Sequence, residues 1–369
     1  MADEQGKSTL QMDRVMQVAI KRDASDIHLA VGKKPTLRIH GKLVELDTGA
    51  LDEEAAVSCM NQIAPDNRKI EYQERGGTDF ATSLTSDDGE VRFRVSITRD
   101  LGGTSIVMRR LPSKFLSPEV IGLPPQMLEL MGRERGLILI TGPTGSGKTT
   151  TLASMLHNAA TTTGRSIVTF EDPIEYRFPH GRSIVRQREV GSHVKSFDMG
   201  LRQALRMDPN IILVGEMRDL ETTRLALSAA ETGHLVLSTL HTVSAAKTID
   251  RLVEQFDKAE RAQIRSQVST GLLGVLCQQL IPRADTTGRV AAFEFMAVTS
   301  GIANMIRDSK TEHIPGAIQT GGKFGMQLLD DHLLRLVAQG KISAPDALHF
   351  GNDKRRLKAE LHLTDGQPD

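Results

Sequence analysis

Gly142-Pro143-Thr144-Gly145-Ser146-Gly147-Lys148-Thr149 fits the spacing G-x-x-x-x-G-K-[ST], and the rest of the chain can be read outward from it. The apolar run Gly136-Leu137-Ile138-Leu139-Ile140-Thr141 precedes it, and Thr150-Thr151-Leu152-Ala153-Ser154-Met155-Leu156 follows with the pattern of a helix. That is the strand–loop–helix setting this spacing requires. Glycines at 142, 145 and 147 open backbone conformations closed to other residues. Their amides can then turn inward as an anion nest, at the positive end of the following helix. Thr144, Gly145, Ser146, Gly147, Lys148, Thr149 and Thr150 are therefore expected to bind a nucleoside triphosphate. Lys148 would reach the β- and γ-phosphates, and the Thr149 hydroxyl is placed for Mg2+. A chance glycine-rich turn is the competing reading, and the flanks argue against it.

The bulk numbers bound the answer. The 369 residues allow about two to three domains with ample core. Apolar residues make up 39% and charged ones 25%, which places the chain among ordinary folded proteins. Forty-six basic and 46 acidic residues cancel, so no global field draws it to nucleic acid or anionic lipid. Cys59 and Cys277 lie far apart and make no metal-type pair, which fits a reducing compartment. The start Met1-Ala2-Asp3-Glu4-Gln5-Gly6-Lys7 lacks a signal-peptide core. No apolar run approaches the ~20 residues that span a bilayer. The expectation is a cytoplasmic protein that meets a membrane only through a partner.

Before the loop the pattern is α+β. Thr9–Arg22 is amphipathic, with Leu10, Val15, Met16, Ala19 and Ile20 on one side. Strand-like runs follow at Ile27–Leu29, Thr36–Ile39 and Leu43–Leu46. Asp52 is placed to cap a helix to Ile63, and Pro65 to open another to Arg75. Further strands are expected at Asp79–Leu84, Glu90–Thr98 and Thr104–Arg110, with Asp87-Asp88-Gly89 as a hairpin turn. Leu111–Pro125, with four prolines and Gly122, reads as either a semi-rigid linker or an ordered crossover. From Gly136 the pattern is α/β: strands at Leu137–Thr141, Ser166–Phe170, Ile211–Val214 and Leu235–Thr239, helices at Phe197–Arg206 and Leu220–Thr232. After Ser244 helices are expected to dominate, broken by an apolar stretch at Val290–Val298, with a fraying tail from Gly351. The expected division is 1–111, a linker at 112–125, and 126–369.

Four groups of residues carry chemistry. Asn210-Ile211-Ile212-Leu213-Val214-Gly215-Glu216 is an apolar strand ending in an acid, the place where a nucleotide-binding sheet holds the Mg2+ shell, directly or through water. Thr169-Phe170-Glu171-Asp172-Pro173-Ile174-Glu175-Tyr176 is a second acid-tipped strand. Pro173 bends the chain, which can aim Glu175 at an attacking water; a solvated charged loop is the bland alternative. His241 follows the run Leu235–Leu240 and belongs at the same sheet edge, in reach of a γ-phosphate. His234 belongs at the opposite edge, as a packing histidine or a functional one. Among Arg92, Arg94, Arg99, Arg109 and Arg110, we expect Arg94, Arg109 and Arg110 to stabilise charge during phosphoryl transfer; a solvated basic strand face is the alternative.

These motifs, in this order, resemble the secretion ATPase superfamily of type II and type IV systems, and within it the PilT-like type IV pilus retraction (twitching motility) ATPases. Glu171-Asp172-Pro173-Ile174-Glu175-Tyr176 resembles the family's aspartate box, Gln187-Arg188-Glu189-Val190-Gly191 a segment typical of it, and Val214-Gly215-Glu216-Met217-Arg218-Asp219 its Walker B. Glu231-Thr232-Gly233-His234 through Leu240-His241-Thr242 resembles its histidine box, and Ala24-Ser25-Asp26-Ile27-His28-Leu29 the start of its N-terminal domain. The resemblance implies a RecA-like P-loop ATPase domain preceded by a smaller α+β PAS-like domain, with ATP and Mg2+ as ligands. It implies Glu175 as catalytic carboxylate and Glu216 as Walker B acid. N-terminal arginines would complete a site between subunits of a homo-hexameric ring. The partners implied are an inner-membrane pilus platform protein and, through it, pilin.

The absence of a four-cysteine zinc insert favours retraction over extension or secretion relatives. The late segment Gly301-Ile302-Ala303-Asn304-Met305-Ile306-Arg307-Asp308 departs from the retraction motif, with Gly301 in place of alanine and Ala303 in place of its first arginine. The expectation is a motor ATPase for pilus retraction at the cytoplasmic face of the inner membrane. The alternatives are an accessory retraction ATPase or other secretion ATPase, a nucleotide-gated scaffold with slow turnover, and a kinase sharing the same loop.

Overall fold

The computed structural model describes residues 10–86 and 89–362, and its chain divides into two compact units. One takes the chain up to Lys114 together with Pro173–Arg177; the other takes Phe115–Asp172 and the chain from Phe178 on.

In the first unit the elements run α1 (Met12–Lys21), β1 (Asp26–Ala30), β2 (Thr36–Ile39), β3 (Lys42–Glu45), α2 (Glu53–Ile63), α3 (Asp66–Arg75), β4 (Gly77–Ser86), β5 (Gly89–Asp100) and β6 (Gly103–Arg110). Of the turn expected at Asp87-Asp88-Gly89, Asp87 and Asp88 lie outside the described residues. The strands form a sheet in the order β3-β2-β1-β6-β5-β4, each neighbouring pair antiparallel. Alternation along β5 buries Val91, Phe93, Val95 and Ile97 and turns Arg92 and Arg94 to the other face, as a half-buried antiparallel strand requires. The buried face packs on Val15, Met16 and Ala19 of α1, Cys59 and Met60 of α2, and Tyr72 of α3. Asp52 caps α2 by accepting from the Ala55 amide.

In the second unit come α4 (Pro118–Ile121), α5 (Pro125–Leu130), β7 (Gly136–Thr141), α6 (Lys148–Thr162), β8 (Ser166–Glu171), β9 (Ile184–Glu189), α7 (Phe197–Ala204), β10 (Ile211–Val214), α8 (Leu220–Glu231) and β11 (Leu235–Leu240). They are followed by α9 (Ala245–Glu254), α10 (Arg261–Gly271), β12 (Leu272–Pro282), β13 (Arg289–Ala297), α11 (Ser300–Arg307), α12 (Ile314–Thr320), α13 (Leu329–Ala338), α14 (Ala344–Phe350) and α15 (Lys354–Glu360). The sheet order is β13-β12-β7-β11-β10-β8-β9, parallel throughout except for the β12–β13 pair. Every residue of β7, β10 and β11 is buried, because helices cover both faces of a parallel sheet. α8 to α12 bury Leu227, Ile249, Val268, Ile302 and Ile318 on one face. α5 and α6 bury Met127, Met155 and Leu156 on the other.

Two expectations need correction. The chain after Ser244 is not mainly helical at once: Leu272–Pro282 is a long strand paired with β7. The described part of the tail does not fray from Gly351, because α15 forms there with Leu357 fully buried and Asp353 as its cap. Within Leu111–Pro125, Ser117 caps the one-turn α4 and Leu123 is buried.

Candidate nucleotide site

The parallel sheet brings the tips of β7, β11 and β10 side by side at their carboxyl ends, where α/β sheets place ligands. β7 ends at Thr141, and the loop then turns through three glycines of positive φ: Gly142 (143°), Gly145 (79°) and Gly147 (89°). At Gly142 a Cβ would lie 2.2 Å from the Gln278 carbonyl oxygen and 2.7 Å from Ser146 Oγ, so no side chain fits there. Gly147 stands at the N-cap of α6, whose N-terminus faces the loop.

The residues fit an anionic ligand. Ser146 Oγ is buried without a hydrogen-bond partner, an orphaned polar atom at the centre of the cradle. Lys148 Nζ donates to the carbonyls of Gly142 (2.8 Å) and Pro143 (2.9 Å). Burial lowers the Lys148 pKa, and the charge of Glu216 opposes that shift. Thr144, Gly145 and Thr149 are exposed, and Thr150 is partly so. Thr149 thus offers a free face of the loop for a hard cation such as Mg2+.

Glu216 lies just beyond β10 and is held there by its neighbours. Thr239 Oγ1 donates to the Gly215 carbonyl at 2.7 Å, Ser238 Oγ to that of Val214 at 2.8 Å, and the Gly215 amide to Phe170 O at 2.8 Å. The Glu216 carboxylate is 2.6 Å from Arg218 Nε and 3.7 Å from His241 Nε2. Lys148, Glu216 and His241 therefore share one sheet edge. His234 sits at the other end of β11, with Nδ1 3.2 Å from the Ala229 carbonyl oxygen.

Glu171, at the end of β8, is buried and accepts from Thr169 Oγ1 (2.6 Å) and Gln187 Nε2 (3.0 Å). Glu175 belongs to the first unit, where its carbonyl accepts from Arg92 Nη1 at 3.0 Å, and Arg177 pairs with Glu90 at 2.5 Å. The three arginines are also there. Arg94 is exposed and sits opposite Arg109 in the β5–β6 ladder, a like-charge pair that would repel unless balanced. The balance is Asp26, which accepts from Arg109 Nε at 2.9 Å and lies 3.7 Å from Arg38 Nε. Burial raises the Asp26 pKa, but the hydrogen bonds from Arg109 and Ser25 outweigh it and hold the carboxyl below its usual range. Arg110 Nη1 pairs with Asp23 at 2.9 Å.

The sequence alone does not single out two residues of this edge. Gln278 on β12 backs the loop and accepts from Thr151 Oγ1 at 2.7 Å. Its signal was the polar pair Gln278-Gln279 inside an otherwise apolar run. In the sequence Arg218 is only one residue of a motif; the structure adds its ion pair with Glu216.

The sequence profile of type II/IV secretion system proteins matches residues 2–347. The chain is 44% identical over 338 residues to the type IV pilus retraction ATPase PilT of Pseudomonas aeruginosa, covering 92% of this chain and 97% of that protein. It is 41% identical over 313 residues to a twitching motility protein of Neisseria gonorrhoeae, covering 85% of this chain and 83% of that one. The crystal structure of the pilus retraction motor PilT with bound ADP superposes with a TM-score of 0.88 at 40% identity, covering 95% of this chain and 99% of that one. With its phosphate loop, its two sheets and this family match along nearly its whole length, the chain belongs to the type II/IV secretion system protein family.

Proposed function

We propose that the chain is a motor ATPase that retracts type IV pili, depolymerising pilin to drive twitching motility. The observation that carries this is the grouping of Lys148, Glu216 and His241 at one sheet edge, in a chain similar along its length to a retraction ATPase.

In this reading the second unit is a RecA-like ATPase domain at 126–369, the first a PAS-like domain at 1–111, and 112–125 the hinge. ATP lies over Thr144–Thr150, with Lys148 neutralising the β- and γ-phosphates. Thr149 and Glu216 would hold Mg2+, directly or through water, and the ion would supply further charge neutralisation. Glu175 orients or deprotonates the attacking water. His241 follows the γ-phosphate from the tip of β11. Arg109 and Arg110 leave Asp26 and Asp23 and, with Arg94, meet charge on the transferring group, across the boundary between subunits of a homo-hexamer. Hydrolysis then changes the angle between the domains and works on a platform protein at the cytoplasmic face of the inner membrane. Among the described residues no helix is long and apolar enough to cross a membrane, in keeping with membrane contact through that partner.

The test has two arms. The purified protein should release phosphate from ATP with no added acceptor. Its gene should restore twitching to a host lacking its retraction ATPase, and the Lys148→Ala form should not. Phosphate release without restored twitching would leave an ATPase and remove the retraction role.

A second reading, an accessory retraction ATPase, is favoured by the segment Gly301–Asp308. A Cβ at Gly301 would meet only Thr299 Oγ1, at 3.8 Å, so alanine fits there and packing does not explain the departure. Restoration of twitching only when the principal motor is also present would select this reading.

A further inference from the structure

One buried carboxylate in the second unit plays no part in the proposed reaction. Glu294 on β13 is 4% exposed. It stands opposite Cys277 of β12, which stands opposite Thr141 of β7, which stands opposite Leu240 of β11. This row forms the floor under the site: Gly142 follows Thr141, and His241 follows Leu240. Glu294 Oε1 accepts from the Ala245 amide at 2.7 Å. Ala245 is the first residue of α9, and its amide is one of the donors a helix start leaves without an internal partner. The carboxylate also accepts from the Leu329 amide, at the start of α13.

Between β11 and α9 lie only His241, Thr242, Val243 and Ser244. The turn is tied at its helical end by three further bonds. Thr242 Oγ1 meets Thr248 Oγ1 at 2.6 Å, Thr248 Oγ1 donates to the Ser244 carbonyl at 2.8 Å, and Ser244 Oγ accepts from the Lys247 amide at 3.3 Å. These bonds lie within the turn and its own helix. Glu294 ties that assembly to the sheet from another strand.

We propose that Glu294 is a positioning residue for the ATPase, holding the His241–Ser244 turn in register with the phosphate loop by capping α9 from β13. Burial raises its pKa, partly offset by the Ala245 and Leu329 amides. A polar group buried this deeply is expected to have its acceptors in use, as the Ala245 bond shows.

The inference rests on the ATPase reading, and a double-mutant cycle separates the two. Glu294→Met removes both acceptor oxygens and keeps an unbranched chain of similar length. Turnover should fall about 10- to 100-fold, with nucleotide affinity changed by less than about twofold. His241→Ala should fall comparably, and the double variant should be no slower than His241→Ala alone. Melting temperature is followed for every variant. Ala245→Pro tests the same bond from the donor side, at a first-turn position that tolerates proline, and keeps the proposal open to test where Glu294→Met does not fold. It should reproduce the loss of turnover and the same lack of additivity. Losses that multiply in the double variants, or full turnover in Ala245→Pro, would overturn the proposal while leaving the ATPase intact. No turnover in the unaltered protein would instead overturn the functional reading.

Discussion

β8 and β10 run side by side in parallel, and each leads into a glutamate, yet the two acids have different surroundings. Glu171 is the last residue of its strand, buried, and takes hydrogen bonds from the neutral donors Thr169 and Gln187. Glu216 lies two residues past the end of β10, between Arg218 and His241 and within the field of Lys148. An acid in register with its strand points into the protein and braces it. One carried past the strand end by a glycine stands at the mouth among cations, where functional carboxylates collect. In the sequence both read as an apolar run ending in an acid. The difference is one of register against the neighbouring strands.

Removing the cation that faces Glu216 should have the largest effect. Lys148→Ala is expected to reduce turnover at least about 100-fold, read as phosphate release, and to weaken nucleotide binding in a titration. If turnover survives, the loop carrying Lys148 and the acid it faces, Glu216, are not the catalytic phosphate site. Glu216→Gln should also reduce kcat about 100-fold, with ADP affinity within a few-fold of the unaltered protein; lost affinity would make Glu216 a brace like Glu171. Glu171→Gln should instead lower stability by about 2 kcal/mol, read in a urea titration. The same contrast separates two histidines. His332 is held by burial at a pKa of about 4, with its Nδ1 accepting from the Phe293 amide, whereas His241 is half exposed beside Glu216. The unfolded chain takes up a proton below the ordinary histidine value while folded His332 does not. Stability is therefore full above about pH 6.5 and falls towards pH 4, by about 1 kcal/mol between pH 6.5 and 5.5. His332→Gln should flatten that slope, and an unchanged slope would place the buried proton deficit elsewhere.

The phosphate loop was legible because its chemistry is local: three glycines, a lysine and a hydroxyl between an apolar strand and a helix. The tips carrying Glu216 and His241 were legible for the same reason, each an apolar run with a polar residue at its end. β12 was not, because Leu272–Pro282 follows α10 without a break and its middle, Gly274–Gln278, is buried without interruption, so it lacks the alternation that marks a strand. The pairing of Arg109 with Asp26 and Arg110 with Asp23 joins residues more than 80 positions apart, which periodicity cannot reveal. Pro173–Arg177 groups with the first unit through Arg92 and Glu90, again a tertiary fact. Glu294 is one acid within the apolar stretch Val290–Val298, and its hydrogen bonds from the first residues of α9 and α13 are tertiary facts the sequence does not carry.

The central claim is that Glu216 serves the reaction and Glu171 the scaffold. It is tested most directly by the turnover of Glu216→Gln and Glu171→Gln side by side, each divided by its folded fraction at saturating ATP. The account predicts that Glu171→Gln keeps turnover within about fivefold while Glu216→Gln loses it by about 100-fold. Equal losses, or a greater loss in Glu171→Gln, would contradict it.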